Sequence, residues 1–275
     1  MRELSGKRVL LTGGAGGLGH AMARRFAAEG AELVLTDVAA ATLRDMVDDF
    51  TRRGIACRGY ELDVTDPAAV TAVRDRLHAE AGPVQVLVNN AGIVSGGPFL
   101  EVPLERHLQT YRVNVDGVVA MSHSFLPDLI ASSEGHLVNV ASASGFVGLP
   151  FGSSYASSKW AVIGLSESLR LELKKLGHRH VGVTSVCPGY VDTGMFEGVR
   201  PPRLTRFLTA DEVAREVVDA VKHNRPFMLE PWLIKITPFL ANSLPTPVTD
   251  MLSDLFGAST GMKNWRGHGD QKRPS

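Results

Sequence analysis

Tyr155 and Lys159 stand four residues apart in a segment of helical pattern, so their side chains leave one face a single turn apart. An ammonium beside a phenol favours the phenolate. Bringing a tyrosine from a pKa of about 10 toward neutrality takes roughly 3–4 kcal/mol, which a desolvated cation a few ångströms away supplies. A tyrosine tuned in this way is a general acid or base. The same spacing also describes an ordinary exposed helix face, so the pair needs a context. One is offered by Thr12-Gly-Gly-Ala-Gly-Gly-Leu-Gly19, which joins an apolar run to a helical pattern. Glycines there let the backbone turn tightly and approach a pyrophosphate at a helix N-terminus. Asp37 closes the next apolar run, 18 positions after Gly19. It is placed to accept hydrogen bonds from an adenosine ribose, whereas a 2′-phosphate would set like charges side by side. At about 4 Å and an effective dielectric near 20 that repulsion is roughly 4 kcal/mol per unit charge. No lysine or arginine lies between Thr12 and Gly19, and Val38 follows the aspartate. The expected cofactor is NAD rather than NADP, against the competing reading of Asp37 as an ordinary solvated strand end.

These residues need elements to hold them. Short β-branched runs at 8–12, 32–36, 55–62, 84–88, 136–140, 181–186 and 226–229 read as strands. Between them, helical patterns cover 18–29, 41–53, 67–80, 104–131, 155–176 and 211–223. Regular alternation of this kind predicts right-handed βαβ crossovers and an α/β fold, with one doubly wound parallel sheet of about seven strands and helices on both faces. The strands are near-continuous apolar runs, as befits a sheet covered on both sides. No proline- or serine-rich linker divides the chain before about residue 230. We therefore expect a catalytic domain over 1–230 and a C-terminal extension over 231–275. The longest break inside the series, 189–209, holds Pro201 and Pro202, and long loops of this type are functional lids or disordered segments.

Composition excludes several classes. With 275 residues, 44% hydrophobic and 21% charged, the chain matches an ordinary globular protein rather than a disordered or fibrous one. Lys plus Arg (29) equal Asp plus Glu (29), so no net field gathers nucleic acid, and no nucleic-acid partner is expected. Cys57 and Cys187 lie far apart, and the nine histidines, His178 and His180 among them, form no HExxH spacing. Neither a disulfide framework nor a metal site is expected. The first apolar run, Val9 to Leu11, is too short for a secretory signal, and no stretch supplies the roughly 20 apolar residues of a membrane span. A cytoplasmic location is the expectation.

Taken in order, Thr12-Gly13-xxx-Gly17-x-Gly19, Asp63-Val64, Asn89-Asn90-Ala91-Gly92, Asn114, Ser142, Tyr155-xxx-Lys159 and Pro188-Gly189 form a specific set. Over roughly residues 5 to 230 the chain resembles the short-chain dehydrogenase/reductase family in its single-domain form. The resemblance implies a Rossmann-type sheet and hydride transfer between an alcohol or ketone and the nicotinamide of NAD. It implies that Tyr155 exchanges the proton with the substrate oxygen, that Ser142 steadies that oxygen, and that Lys159 also holds the nicotinamide ribose. Asn114 would anchor a water in a proton relay. Ser144 competes for the role of Ser142, although Gly145 three places on fits the family spacing for Ser142. The resemblance further implies that Gly13, Gly17, Leu18 and Gly19 cradle the cofactor, with Asp63 and Val64 beside its adenine and Asn90 and Gly92 on its floor. Pro188, Gly189, Val191 and Thr193 would meet the nicotinamide end. A homodimer or homotetramer through the helices 104–131 and 155–176 is implied in the same way. The rival expectation is a dinucleotide-binding regulatory or scaffold protein without chemistry, which intact Ser142, Tyr155 and Lys159 oppose.

Phe146, Val147, Leu149, Phe151, Ile93, Val94, Met195 and Phe196 suggest an apolar pocket and a lipophilic substrate. Past Pro231 a helical stripe of Trp232, Leu233, Ile236, Phe239, Leu240 and Leu244, broken by Pro238 and Pro245, must be covered. A lid, a subunit contact and a peripheral membrane contact compete for it; Lys235, its only basic residue, counts against the membrane. Cys187 reads as an inert buried thiol.

Overall fold

Side chains alternate across a strand, so a strand buried on both faces feeds two cores, and here it does. The computed structural model describes residues 3–267. Its strands are β1 (Arg8–Thr12), β2 (Glu32–Asp37), β3 (Cys57–Glu61), β4 (Val86–Asn89), β5 (Gly135–Val140), β6 (Val181–Pro188), β7 (Val191–Asp192), β8 (Leu208–Thr209) and β9 (Phe227–Glu230). Seven of them form one parallel sheet in the order β3-β2-β1-β4-β5-β6-β9, while β7 and β8 pair with each other. Val9, Leu11, Leu33, Leu35, Val86 and Val88 point into one core; Leu10, Val34 and Leu87 between them point into the other. This is the expected doubly wound sheet.

The first core is closed by α1 (Gly17–Ala28), through Met22 and Phe26, and by α2 (Ala40–Arg52), through Leu43, Met46 and Phe50. The second is closed by α3 (Pro67–Glu80), whose N-terminus is capped by the Asp66 carboxylate accepting from Ala68 and Ala69 N–H. The chain then forms α4 (Leu104–Tyr111), a π-helical turn (Arg112–Asp116) and α5 (Gly117–Ala131), with Met121, Phe125 and Leu129 of α5 in the second core. The single helix expected over 104–131 is thus interrupted. Gly117 N–H bonds Arg112 O, five residues back, which lets one extra residue bulge out around Asn114. Two more long helices follow, α6 (Ser153–Lys175) and α7 (Ala210–Lys222); a reciprocal Thr209–Glu212 capping box starts α7.

After β9 come α8 (Trp232–Ser243) and α9 (Thr246–Phe256), so the helix runs past Pro238 and stops before Pro245. The stripe expected to be covered stays open in the single chain, with Trp232 61% and Phe239 71% exposed. The side chain of Leu240 lies outside the described residues. No helix among the described residues is long and apolar enough to cross a membrane.

His136 on β5 is fully enclosed, and its Nε2 meets Thr184 Oγ1 at 2.8 Å. Burial pushes its pKa down to about 3. Between its ordinary value near 6.5 and that figure, the unfolded chain binds a proton that the fold refuses. The stability present above pH 6.5 is therefore lost as the pH falls, by about 2 kcal/mol at pH 5. Urea unfolding at pH 7 and pH 5 should show this loss, and His136→Gln should remove it. An equal loss in the variant would place the titration elsewhere.

Candidate active site

The strand order reverses between β1 and β4, where a doubly wound sheet opens a crevice at the C-terminal strand ends. The glycine-rich turn leaves β1 at this edge. Gly13 adopts φ +64°, and its carbonyl, like that of Thr12, accepts from Asn90 Nδ2 at 3.0 Å. A methyl group on Gly19 would collide with Gly13 O, so the first turn of α1 can approach the loop only with glycine there. Gly17 stands against Thr193, which returns from the segment after β6, while Leu18 packs on the first core. The N-terminus of α1 has no side-chain cap and no acidic residue in its first turn. Its leading N–H groups and positive dipole end suit an anion such as a pyrophosphate. At the end of β2 the Asp37 carboxylate accepts from Ala15 N–H and Ala39 N–H, both at 2.9 Å, which fixes it beside the glycine turn.

Other expected cofactor residues line the same edge. Asp63 follows β3 and closes a local turn, accepting from Thr65 N–H at 2.9 Å and Thr65 Oγ1 at 2.8 Å. Val64 is buried against Gly117, where a methyl group would come 2.6 Å from its Cγ2. Gly92 sits between Asn114 and Lys159: a methyl group would be 3.3 Å from Asn114 Oδ1 and 3.5 Å from Lys159 Nζ. Pro188 ends β6, and Gly189 N–H bonds Glu230 O at 2.7 Å, tying the turn to β9. Val191 is buried in β7, and Thr193 follows it.

Tyr155 and Lys159, on the first turns of α6, are both buried. Lys159 Nζ donates to Val140 O at 2.8 Å and lies 5.7 Å from the centre of the Tyr155 ring. The expected depression of the Tyr155 pKa is absent from this structure. Burial pushes the phenol up to about 12, against the opposing pull of the nearby Ser142 hydroxyl, and pushes Lys159 down to about 8. Desolvation penalises the charged form of each, and the ammonium is spent on a backbone carbonyl rather than on the phenol oxygen. Ser142 is braced from behind, its Oγ accepting from Ser144 N–H at 3.2 Å and Ser144 Oγ at 3.0 Å. Asn114, in the π-helical turn, accepts from Ile93 N–H at 2.9 Å and donates to Ile93 O and Ser158 Oγ, each at 3.0 Å. Ser158 was not among the expected residues, although its place beside Lys159 on α6 is the signal that could have found it. Cys187 lies at the same edge, with its thiol pushed up to about 12 by burial, so it is no thiolate at neutral pH.

Above the phenol, Tyr155 shares a buried cluster with Phe196, Val199 and Met262, joined by Val94, Leu149, Phe151, Tyr190, Met195, Phe207 and Trp265. Five of the eight expected pocket residues gather here: Val94, Leu149, Phe151, Met195 and Phe196. Phe146 does not; it packs in a separate cluster against Phe227, with ring centres 6.2 Å apart. Phe146 closes the 3₁₀ turn at Ala143–Gly145 and packs beside Ala141, Val162, Cys187 and Leu229 as well.

A glycine cradle, an aspartate at the end of the neighbouring strand and a buried Tyr–Ser–Lys group on one sheet edge invite comparison with known proteins. The short chain dehydrogenase family model matches residues 7–203. Epidermal retinol dehydrogenase 2 of Mus musculus is 34% identical over 260 residues, covering 93% of this chain and 84% of that one. A short chain dehydrogenase/reductase from Burkholderia phymatum, solved in complex with NAD, superposes with a TM-score of 0.80 at 31% identity, over 87% of this chain and 94% of its own. An alcohol dehydrogenase from the archaeon Thermococcus sibiricus, complexed with 5-hydroxy-NADP, gives 0.70 at 28% identity, over 78% and 90%. Both dinucleotides therefore occur among structural neighbours. With two thirds of the chain inside the family model and relatives matching almost end to end, the protein belongs to the short-chain dehydrogenase/reductase family and is an oxidoreductase of alcohols and carbonyl compounds.

Proposed function

We propose that this oxidoreductase uses NAD(H) to interconvert a lipophilic primary or secondary alcohol and its carbonyl compound. The observation that carries the reading is the buried Tyr155 phenol, one turn from Lys159 on α6 and enclosed by apolar side chains. Gly13, Gly17, Leu18 and Gly19 would hold the pyrophosphate, Asp37 the adenosine ribose, Asp63 and Val64 the adenine. Asn90, Gly92, Pro188, Gly189, Val191 and Thr193 would border the nicotinamide half. When bound, the nicotinamide supplies or accepts the hydride. Tyr155 gives its proton to the carbonyl oxygen or takes it from the alcohol, and Ser142 holds that oxygen by a hydrogen bond. Lys159 carries the positive charge that steadies the phenolate during oxidation. Asn114 Oδ1 accepts from Ile93 N–H, which leaves its second lone pair to hold a relay water.

The charge of Asp37 supports NAD over NADP. The apolar cluster supports a lipophilic substrate, in keeping with the name of the retinol dehydrogenase among its relatives. Residues 1–230 form the catalytic domain in this reading, and the segment from 231 onward is its extension. Exposed Leu104, Leu108, Tyr111, Val119 and Leu171 on α4, α5 and α6 support assembly of two or four copies through those helices. Absorbance of NADH, followed with a panel of primary and secondary alcohols of increasing chain length, tests the function. The expected result is NAD-dependent turnover that improves with apolar chain length. A protein that binds NADH but oxidises none of the panel would overturn the reading.

A further inference from the structure

Tyr155 is 6% exposed, and its cover has two strands of chain that interlock. One is the loop after β7; the other is the segment after α9. Arg200 N–H bonds Gly261 O at 3.2 Å, Arg203 N–H bonds Phe256 O at 2.7 Å, and Arg266 N–H bonds Glu197 O at 2.9 Å. Trp265 adds a side-chain bolt, its Nε1–H donating to Met195 O at 3.0 Å. The contact surfaces leave no room for side chains. A methyl group on Gly96, in the loop after β4, would stand 2.6 Å from Trp265 Cε3, and one on Gly198, where φ is +81°, would collide with Asn264 O. Trp265 thus lies flat between the loops that follow β4 and β7. Met262, three residues earlier, is 1% exposed within the Tyr155 cluster.

We propose that Met262 is a specificity-determining residue, forming the far wall of the substrate site, and that Trp265 is the positioning residue that holds this wall in place. The inference rests on Tyr155 marking the reacting end of the substrate. A substrate whose oxygen reaches Tyr155 must carry its remaining atoms along the surface of Phe196, Val199 and Met262. An alkyl chain gains there by burial, whereas a small alcohol reaches the phenol without touching Met262. The thioether is unbranched and adaptable, so the wall accepts chains of differing shape while rejecting water. Among the described residues no side chain of the α8 stripe joins this cluster; the covering residues Met262 and Trp265 come from the turns that follow α9.

The test uses the full chain, comparing Met262→Ala, Trp265→Ala and Trp265→Phe with the wild type. Decanol and propanol are titrated calorimetrically into each protein loaded with NADH, and kcat and KM are measured for both alcohols with NAD. Met262→Ala should weaken decanol binding and raise its KM about tenfold or more, and the change for decanol should exceed that for propanol by about fivefold or more. Trp265→Ala should reproduce the decanol defect. Trp265→Phe, which keeps a ring against Gly96, should recover part of it. A decanol affinity unchanged in Met262→Ala, or no decanol binding by the wild type, would overturn the proposal. Decanol bound in the expected pattern but never oxidised would instead overturn the proposed reaction while leaving the wall in place.

Discussion

Tyr155→Phe lowers turnover by about 10²–10⁴-fold while NADH binding stays within a few-fold. The substitution removes one oxygen and keeps the ring, which meets Phe196 edge-on with centres 5.9 Å apart, so the cluster above the site is retained. What disappears is the hydroxyl that, in the proposed reaction, passes the proton to or from the substrate oxygen. Stopped-flow or steady-state turnover, set beside fluorescence titration with NADH, separates the two effects. Near wild-type turnover would remove Tyr155 from the mechanism, and joint loss of folding and binding would make its role structural. The wild type carries a companion expectation. Because burial holds the phenol up to about 12, Tyr155 enters a neutral solution protonated, ready to serve as an acid toward a carbonyl. Alcohol oxidation needs its base form and should rise with pH from neutrality into the alkaline range.

That pKa also marks where the sequence stops being legible. Spacing alone places Tyr155 and Lys159 on one helix face, and they are there. Their environment is set by residues far away in the chain, Val140, Phe196 and Met262 among them, and no local pattern announces that the ammonium will turn to a strand carbonyl. The sheet was readable for the opposite reason. The central strands β1, β2 and β4 are apolar runs whose alternate residues serve two cores, a constraint written into every few consecutive positions. The break in the helix over 104–131 was not, since a π-helical turn inserts one residue without disturbing the apolar period on either side. Its effect is nonetheless central, because it swings the Asn114 amide toward Ile93 and Ser158.

The extension shows a related limit. Periodicity drew attention to Trp232, Ile236 and Phe239, which lie exposed on α8, and away from Met262 and Trp265, which sit in turns without any period. Two glycines carried the missing signal. Gly96 and Gly198 have no role as isolated residues, but each is the partner surface of the returning chain. Such long-range pairings become visible only when the chain is folded.

Cofactor choice is the other large effect, and it follows from the charge on Asp37. Both carboxylate oxygens are engaged by backbone, Oδ2 by Ala15 N–H and Oδ1 by Ala39 N–H, so the group cannot swing aside to admit a 2′-phosphate. Roughly 4 kcal/mol of repulsion per unit charge, at about 4 Å in a medium of effective dielectric near 20, is the most this contact can contribute. Solvent access at the neighbouring Val38, 59% exposed, reduces it through screening. We therefore expect NAD to be used at least about tenfold more efficiently than NADP, a difference of about 1.4 kcal/mol. Asp37→Ala should bring the two within a few-fold of each other. Asparagine is a poorer probe than alanine, since its Nδ2 would have to face one of the two N–H donors. Adding Val38→Arg to Asp37→Ala supplies a cation where the phosphate would sit and should turn the preference toward NADP. The measurement is kcat/KM for each dinucleotide at saturating alcohol, at low and high salt. In the wild type the gap should shrink as salt rises, because the repulsion is electrostatic, whereas a gap set by shape would not respond. A wild type that prefers NADP would refute the charge account outright.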